Sequence, residues 1–567
     1  MRVLAVVALM LGTVPACGGG EAQAPVPGGP LPVPGTHWPV SVERLGEERP
    51  NYEHLVLVTI DTLRADHVSC YGYPRETTPF LDSLAERGVR FTRAMSAVSH
   101  TAPSHATMLT GLVPAVHGVL HNGENLDPGA LDLARLFASA GYETAAFLNV
   151  EFLRGIAGSF GRTEAFAVTD GHDSADVVDA ALAWMEKERK GERFFLWVHL
   201  YDPHIPYAPS AEHLARAGGD AYRGEIAALD DAVGVLVDAL AAADEGDETL
   251  IAITADHGES LNEHGEPTHG ALCYEAAVRV PLVFHFPGTP PAPGPVRLAS
   301  LVDLFPTLLA RLGVPVPPGL DGIDLFAADA PRERGVYLES YSGYLNYGWS
   351  PLAGWVDGHG KYLHSSQPEF YSCETDPAER SDFAPGSERE CERARTHLAE
   401  ILARPALPRE ERETNAPLEA ALAALGYARG GASEPELPSP LAPSDRPGPK
   451  SRAHELEPLL RAHALYESKR FDECRPLVEK IVRENPRHLL AADLYALCLM
   501  EAKEFAQAEN VLRRRLSLCE AADARLNLGL CRLELGDAEG ARAEIEAAAK
   551  LAPDRPAIRE ALARVGG

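Results

Sequence analysis

Residues 55–111, LVLVTIDTLRADHVSCYGYPRETTPFLDSLAERGVRFTRAMSAVSHTAPSHATMLTG, constrain the fold of this chain more than any other stretch. The apolar run 55–60 is short, rich in β-branched residues and broken by Asp61. Such a run suits a strand buried on both faces of a parallel sheet. Asp61 then falls at the strand's carboxyl end, where open α/β sheets place their ligands. The pattern predicts a helix over 78–87, and after it comes SHTAPSHATMLTG. Pro103 suits the first turn of a helix, where its missing N–H is not needed. Thr101 therefore lies just before a helix N-terminus, where backbone N–H groups favour developing negative charge. A carboxylate at a strand end and a hydroxyl at a helix start can share a divalent cation.

The alternation continues to about residue 287. Strands are predicted over 144–148, 194–200, 250–254 and 281–286, and helices over 129–140, 174–190 and 222–243. This order gives an α/β fold, a mostly parallel sheet sandwiched by helices. Three of the strands end in polar clusters: Asp61, then Tyr201-Asp202-Pro203-His204, then Asp256-His257-Gly258. Independent core strands have no reason to collect acids and histidines at one end, so a single site drawing on all three is expected. A helix over 301–312 extends the fold, short β pieces over 337–371 predict a small antiparallel subdomain, and helices are predicted over 388–402 and 418–425.

At 567 residues the chain is long for one domain, and its composition, 45% hydrophobic, is sufficient for sizeable cores. The net charge of −30 excludes nucleic acid as a partner, because phosphate neutralisation needs a basic face. Residues 1–17, MRVLAVVALMLGTVPAC, read as a secretory signal, too short for a membrane span. VPAC resembles the bacterial lipobox, which implies cleavage before Cys17, lipid attachment to its thiol and an extracytoplasmic location facing the periplasm or cell surface. Residues 18–50 are a Gly/Pro-rich tether, so membrane contact is expected through the lipid anchor only. Cys373 and Cys391 flank a polar loop and are able to pair in an oxidising compartment. Cys474, Cys498, Cys519 and Cys531 fall in helical patterns and read as small core residues.

Residues 428–454 are a Pro-rich linker by composition. Beyond it the chain repeats: Phe471 and Phe505 are 34 residues apart, as are Cys474 and Ala508, and Val478 and Leu512. A third copy, one residue out of phase, carries Gly529, Ala541, Ile545 and Ala548. This resembles the tetratricopeptide repeat, so 455–567 are expected to be an all-α repeat domain with a capping helix. The early Trp of that repeat is missing throughout and its Gly is present only at Gly529. Such arrays present a concave face to a protein partner.

Thr101-Ala102-Pro103-Ser104-His105 through Thr110-Gly111 stands in the frame of a nucleophile motif, C/S-x-P-S-R with a helix ending in T-G. TIDTLRADH (59–67), HLYDPHIPY (199–207), ADHGESLNEHGE (255–266), HGALCYEAAVRVPL (269–282) and LVDLFPTLLARLGVP (301–315) follow in order. Together these resemble the sulfatase-like branch of the alkaline phosphatase superfamily over residues 51–427. The resemblance implies an ester hydrolase in which Asp61, Asp256 and His257 hold a divalent metal ion and Thr101 is both nucleophile and ligand. It implies that His204 and His269 hold the anion or protonate the leaving group, with His105 and Asp202 on the substrate side and Asp202 orienting His204. For each lone histidine the plain alternative is a buried, hydrogen-bonded residue.

The chain departs from that family twice. Thr101 stands where Cys or Ser is oxidised to formylglycine, which a threonine cannot form, and His105 replaces the motif's Arg. A threonine ester must be cleaved by attack at phosphorus or sulfur, and related phosphodiesterases and phosphoglycol transferases use Thr. Thr62 replaces the usual second Asp, which leans the site towards Zn²⁺ or Mn²⁺, with Ca²⁺ or Mg²⁺ the alternatives. Three functions are therefore in play. The first is a metal-dependent hydrolase of phosphate, phosphonate or sulfate esters, small or linked to glycan or lipid. The second is a phosphoglycol-type transferase acting on a surface glycan or lipid. The third is an inactive scaffold for the repeats.

Overall fold

The aliphatic runs become the interior of a seven-stranded sheet in the computed structural model. The structure describes residues 52–166, 173–243, 245–408, 437–553 and 555–566, with a short hairpin of Leu31–Val33 against Thr36–Trp38. The signal sequence, Cys17, the rest of the tether, the helix expected at 418–425 and the start of the linker lie outside the described residues. Among the described residues no helix is long and apolar enough to cross a membrane.

In chain order the sheet strands are β1 (His54–Ile60), β2 (Val89–Arg90), β3 (Glu143–Leu148), β4 (Arg162–Ala165), β5 (Phe194–Leu200), β6 (Thr249–Ala255) and β7 (Leu282–His285). Their spatial order is β2-β7-β6-β1-β5-β3-β4. Strands β6, β1, β5, β3 and β4 run parallel, while β7 is antiparallel to both β6 and β2. Every residue of β1, β5 and β6 is buried, which is why these strands read as continuous apolar runs rather than alternating ones.

Two groups of helices cover the sheet. Helices α1 (Pro79–Glu86), α4 (Ser174–Lys187) and α5 (Ala221–Ala242) pack together, as do α2 (Thr101–Thr110), α3 (Leu133–Ser139) and α6 (Leu304–Arg311). Helix α3 begins later than the sequence pattern predicts because Asp132 caps it, its carboxylate accepting from Arg135 N at 2.9 Å. The register of the central strands matters most for function. Ile60 is paired with both Leu200 and Ala255, so Asp61, Tyr201 and Asp256 all follow at one level beyond the strand ends.

The antiparallel subdomain is a four-stranded sheet of β8 (Val336–Ser340), β9 (Leu352–Asp357), β10 (Gly360–His364) and β11 (Glu369–Tyr371), with helix α7 (Glu388–Leu402) against it. Lys361 of β10 is buried and paired with Glu379 at 2.7 Å and with Glu275 at 3.5 Å. Cys373 and Cys391 are both free thiols, and they pack into different apolar clusters, which corrects the pairing the sequence allowed.

The C-terminal helices are α8 (Leu456–Glu467), α9 (Phe471–Glu484), α10 (Leu489–Glu501), α11 (Phe505–Leu516), α12 (Ala522–Glu534), α13 (Ala538–Leu551) and α14 (Pro556–Gly566). They form three hairpins and a closing helix, and Phe471 and Phe505 each open the second helix of a hairpin. The recurring small positions Cys474, Ala508 and Ala541 are fully buried.

Residues 446–452 of the predicted linker lie against the body of the protein. Ser350 N donates to Pro447 O at 2.9 Å, Arg446 to Tyr344 O at 2.9 Å, and Pro449 is buried. Buried Glu455 ties the hairpins to this body, accepting from the Trp349 indole N–H at 3.0 Å and from Asn485 Nδ2 at 2.9 Å. Glu455→Ala leaves the buried Trp349 N–H without its acceptor and Asn485 Nδ2 with Tyr347 O alone, and is expected to cost about 1–3 kcal/mol. Thermal unfolding of the full chain measures this; an unchanged midpoint contradicts the assigned role of Glu455.

Candidate metal centre

Asp61 leaves β1 with its backbone N–H bonded to Leu200 O, and Asp256 leaves β6 with its own bonded to Ile60 O. Both side chains are fully buried. Asp256 Oδ1 accepts from His257 N at 2.7 Å and from Thr62 N at 3.3 Å, while its Oδ2 has no hydrogen-bond partner. Asp61 Oδ1 is likewise unpartnered. His257 Nδ1 is bonded to Gly258 O at 2.9 Å. A carbonyl only accepts, so Nδ1 carries the proton and Nε2 of the neutral ring presents a lone pair. That nitrogen is 3.6 Å from Asp61 Oδ1 and 3.6 Å from Asp256 Oδ2.

Thr101, the first residue of α2, brings Oγ1 to 3.4 Å from Asp61 Oδ2 and 3.4 Å from His257 Nε2. The helix is directed by Ala102 N, which donates to Asn122 Oδ1, and by Ser104 Oγ, which donates to Asp256 O at 2.6 Å. Asp61, Asp256 and His257 thus form a possible metal site, one ligand atom from each lying within 4.8 Å of the others. The unpartnered carboxylate oxygens and the imidazole lone pair are the donors a divalent cation takes. Burial, and after it the charge of Asp256, pushes the Asp61 carboxyl well above the usual range; burial does the same to Asp256 and pushes His257 well below.

The expected helper histidines also arrive beside the cluster. The His269 ring centroid is 4.5 Å from that of His257 and 5.0 Å from that of His204. His269 Nδ1 meets Glu259 Oε1 at 3.2 Å, and Glu259 Oε2 accepts from Tyr207. His204 Nδ1 is 2.6 Å from Ile205 O and 2.6 Å from the Tyr201 hydroxyl, and burial takes both His204 and His269 down to about 3.

Two of the expected site residues make their contacts elsewhere. His105 does not face a substrate: its ring is buried beneath Thr101, with Nδ1 bonded to Thr101 O at 2.8 Å and Nε2 to Thr59 Oγ1 at 2.9 Å. One helical turn separates it from Thr101, which puts its side chain under that residue rather than beyond it. Asp202, expected to orient His204, instead directs Oδ2 to Ser174, accepting from Ser174 N at 3.1 Å and Ser174 Oγ at 2.7 Å at the start of α4. His264 leads elsewhere, its ring stacked on Tyr274 at 3.8 Å.

The sequence reading missed His199, Thr59 and Glu259. Thr59 and His199 are register partners on adjacent strands, and His199 Nδ1 is 3.1 Å from Thr59 Oγ1. Trp197 Nε1 also donates to that oxygen. His105 uses its Nδ1 proton on the Thr101 carbonyl, and burial holds the ring neutral, near 3, so its Nε2 accepts the Thr59 hydroxyl proton. His199 Nδ1 must then be a donor, leaving the buried, unpartnered Nε2 as a lone pair 3.7 Å from Asp61 Oδ2. Alternation along HLYDPH would have placed His199 and Tyr201 on one face of β5.

The family model described as Sulfatase matches residues 53–314, the part of the chain that carries the central sheet and this constellation. Arylsulfatase A of Homo sapiens is 28% identical over 359 residues, covering 51% of this chain and 71% of that protein. The ulvan-active sulfatase of Formosa agariphila is 25% identical over 337 residues, covering 49% of this chain and 65% of that protein. Among solved structures, a protein in complex with its substrate D-glucosamine-2-N,6-O-disulfate superposes with a TM-score of 0.53 at 19% identity, over 63% of this chain and 97% of its own. That likeness is one of fold.

Elemental analysis checks the centre. Purified wild-type protein is expected to retain about one divalent ion per chain, and Asp256→Ala to lose most of it. Equal metal content in both places the ion elsewhere.

Proposed function

We propose that the chain is a metal-dependent hydrolase of phosphate, phosphonate or sulfate esters with Thr101 as its nucleophile. The observation that carries this reading is the convergence of Thr101 Oγ1 on Asp61 Oδ2 and His257 Nε2, both at 3.4 Å, beside two unpartnered carboxylate oxygens. Asp61, Asp256, His257 and Thr101 would hold the ion. Once bound, a divalent ion supplies Lewis-acid polarisation and makes a hydroxyl nucleophilic near neutral pH.

This chain's residues divide the remaining work. Thr101 Oγ1 loses its proton to solvent and forms the bond to phosphorus or sulfur as the ester's leaving oxygen departs. His269 or His204, neutral without substrate, takes up a proton from solvent when the anionic ester lies beside it and gives that proton to the leaving oxygen. The dipole of α2, whose first residue is Thr101, favours the negative charge that develops there. The threonine ester is then cleaved by water at the central atom, since the side chain lacks the second hydroxyl of a hydrated formylglycine. Phosphoryl chemistry suits that second step better than sulfuryl chemistry. The relatives' names, an arylsulfatase and an ulvan-active sulfatase, support an aryl or glycan-linked ester as the substrate class.

Transfer of a substituted phosphoryl group to a surface glycan or lipid is the second reading, because the same site serves it with a different acceptor. An inactive scaffold is disfavoured by the intact donor set. In the proposed architecture a lipidated Cys17 and the tether hold the domain at a membrane on the extracytoplasmic side. The hairpins, read as tetratricopeptide repeats, recruit a protein partner.

A side-by-side panel of aryl phosphate diester, phosphonate monoester and sulfate, each with Zn²⁺, Mn²⁺ or Ca²⁺ added, tests the reaction. The phosphorus esters are expected to turn over faster. Thr101→Ala is expected to lose about a hundred-fold or more, and Thr101→Ser to keep part of the rate. Preference for the sulfate corrects the substrate class; unchanged activity in Thr101→Ala removes the nucleophile.

A further inference from the structure

The hairpins hold a chemical feature that their packing does not require. Cys474 on α9 and Cys498 on α10 are buried, at 0% and 1% exposure, and their Sγ atoms are 3.3 Å apart. The two residues belong to consecutive hairpins: α9 closes the first and α10 opens the second. Both stand at small-residue positions of the repeat. Ala508 follows Cys474 by 34 residues and Cys531 follows Cys498 by 33. At that next interface Ala508 and Cys531 share one apolar cluster, both fully buried. Alanine therefore serves this packing position, and a sulfur on each side is particular to the first interface.

We propose that Cys474 and Cys498 form a disulfide that cross-links the first hairpin to the second. Disulfide chemistry needs two sulfurs on adjacent backbones able to approach to about 2.05 Å, which a short inward shift of two facing helices supplies here. The oxidant is an aliphatic disulfide. One cysteine thiolate attacks it, forming a mixed disulfide and releasing one thiol. The second cysteine thiolate attacks the protein sulfur of that mixed disulfide, forming the Sγ–Sγ bond and expelling the second thiol. Two protein thiols lose two protons and two electrons, and one oxidant disulfide becomes two thiols. Because both sulfurs are buried, exchange proceeds while the hairpins are open, during folding or local opening. The bond closes a loop spanning residues 474–498 and removes chain freedom from the opened state. It would hold the hairpin that abuts Glu455 and Trp349 in register with the rest of the array.

The test uses the full-length protein, reduced and then incubated with oxidised glutathione, with and without low urea to open the hairpins transiently. Samples are acid-quenched, alkylated under denaturing conditions without reductant, digested and analysed by mass spectrometry. The expected result is a linked peptide pair containing Cys474 and Cys498 in wild type and in Cys531→Ala. In Cys474→Ala, which should fold because alanine occupies the corresponding position 508, Cys498 is expected to be recovered without a peptide partner. Recovery of Cys474 and Cys498 separately alkylated or glutathionylated from wild type under both conditions overturns the proposal, as does Cys474 linked to any other cysteine.

Discussion

Two buried carboxylates and an imidazole lone pair facing one another set the terms for everything around them. Asp61 and Asp256 are fully buried, and His257 Nε2 is 3.6 Å from an oxygen of each. His257 cannot relieve the crowding by turning a proton inward, because its Nδ1 proton is committed to Gly258 O. His199 Nε2 adds a further lone pair beside Asp61. A cluster of acceptors in a dry interior is costly unless a cation lies among them. Such an arrangement is a possible metal site. The parallel register that places Asp61 and Asp256 at one level is its structural precondition.

The sheet serves that register. Strands β5, β1 and β6 are buried along their whole length and aligned so that their ends coincide, which gathers residues from positions near 61, 199 and 256. Helix α2 completes the centre from a different part of the chain. Its first turn is tied to Asn122 through Ala102 N and to the strand ends through Ser104, which bonds Asp256 O, and His105, which bonds Thr59. Chemistry and scaffold are thus joined through a small number of buried hydrogen bonds, with Thr59 at the hub beneath His105, His199 and Trp197.

Much of this was legible from local pattern. The strand over 194–200 and the helix over 388–402 appear with the bounds their residues predict, and Phe471 and Phe505 open equivalent helices. Asp61, Asp256 and His257 follow directly on strand ends and Thr101 opens a helix, which made their positions legible. The failures are tertiary. Ser174 reaches Asp202 across 28 residues of sequence, and nothing local to Asp202 announces it. His105 was placed by its position in a motif, although helical spacing from Thr101 points it beneath that residue. His199 was hidden in an apolar strand, and its meaning depends on Thr59 of the neighbouring strand.

The centre is tested most directly by locating the ion. Crystals of the wild-type protein soaked in Mn²⁺ or Zn²⁺, with diffraction recorded on either side of the metal's absorption edge, give an anomalous map independent of turnover. The account predicts one strong peak enclosed by Asp61, Asp256 Oδ2, His257 Nε2 and Thr101 Oγ1. A peak at His264 or elsewhere, with none among these four residues, contradicts it.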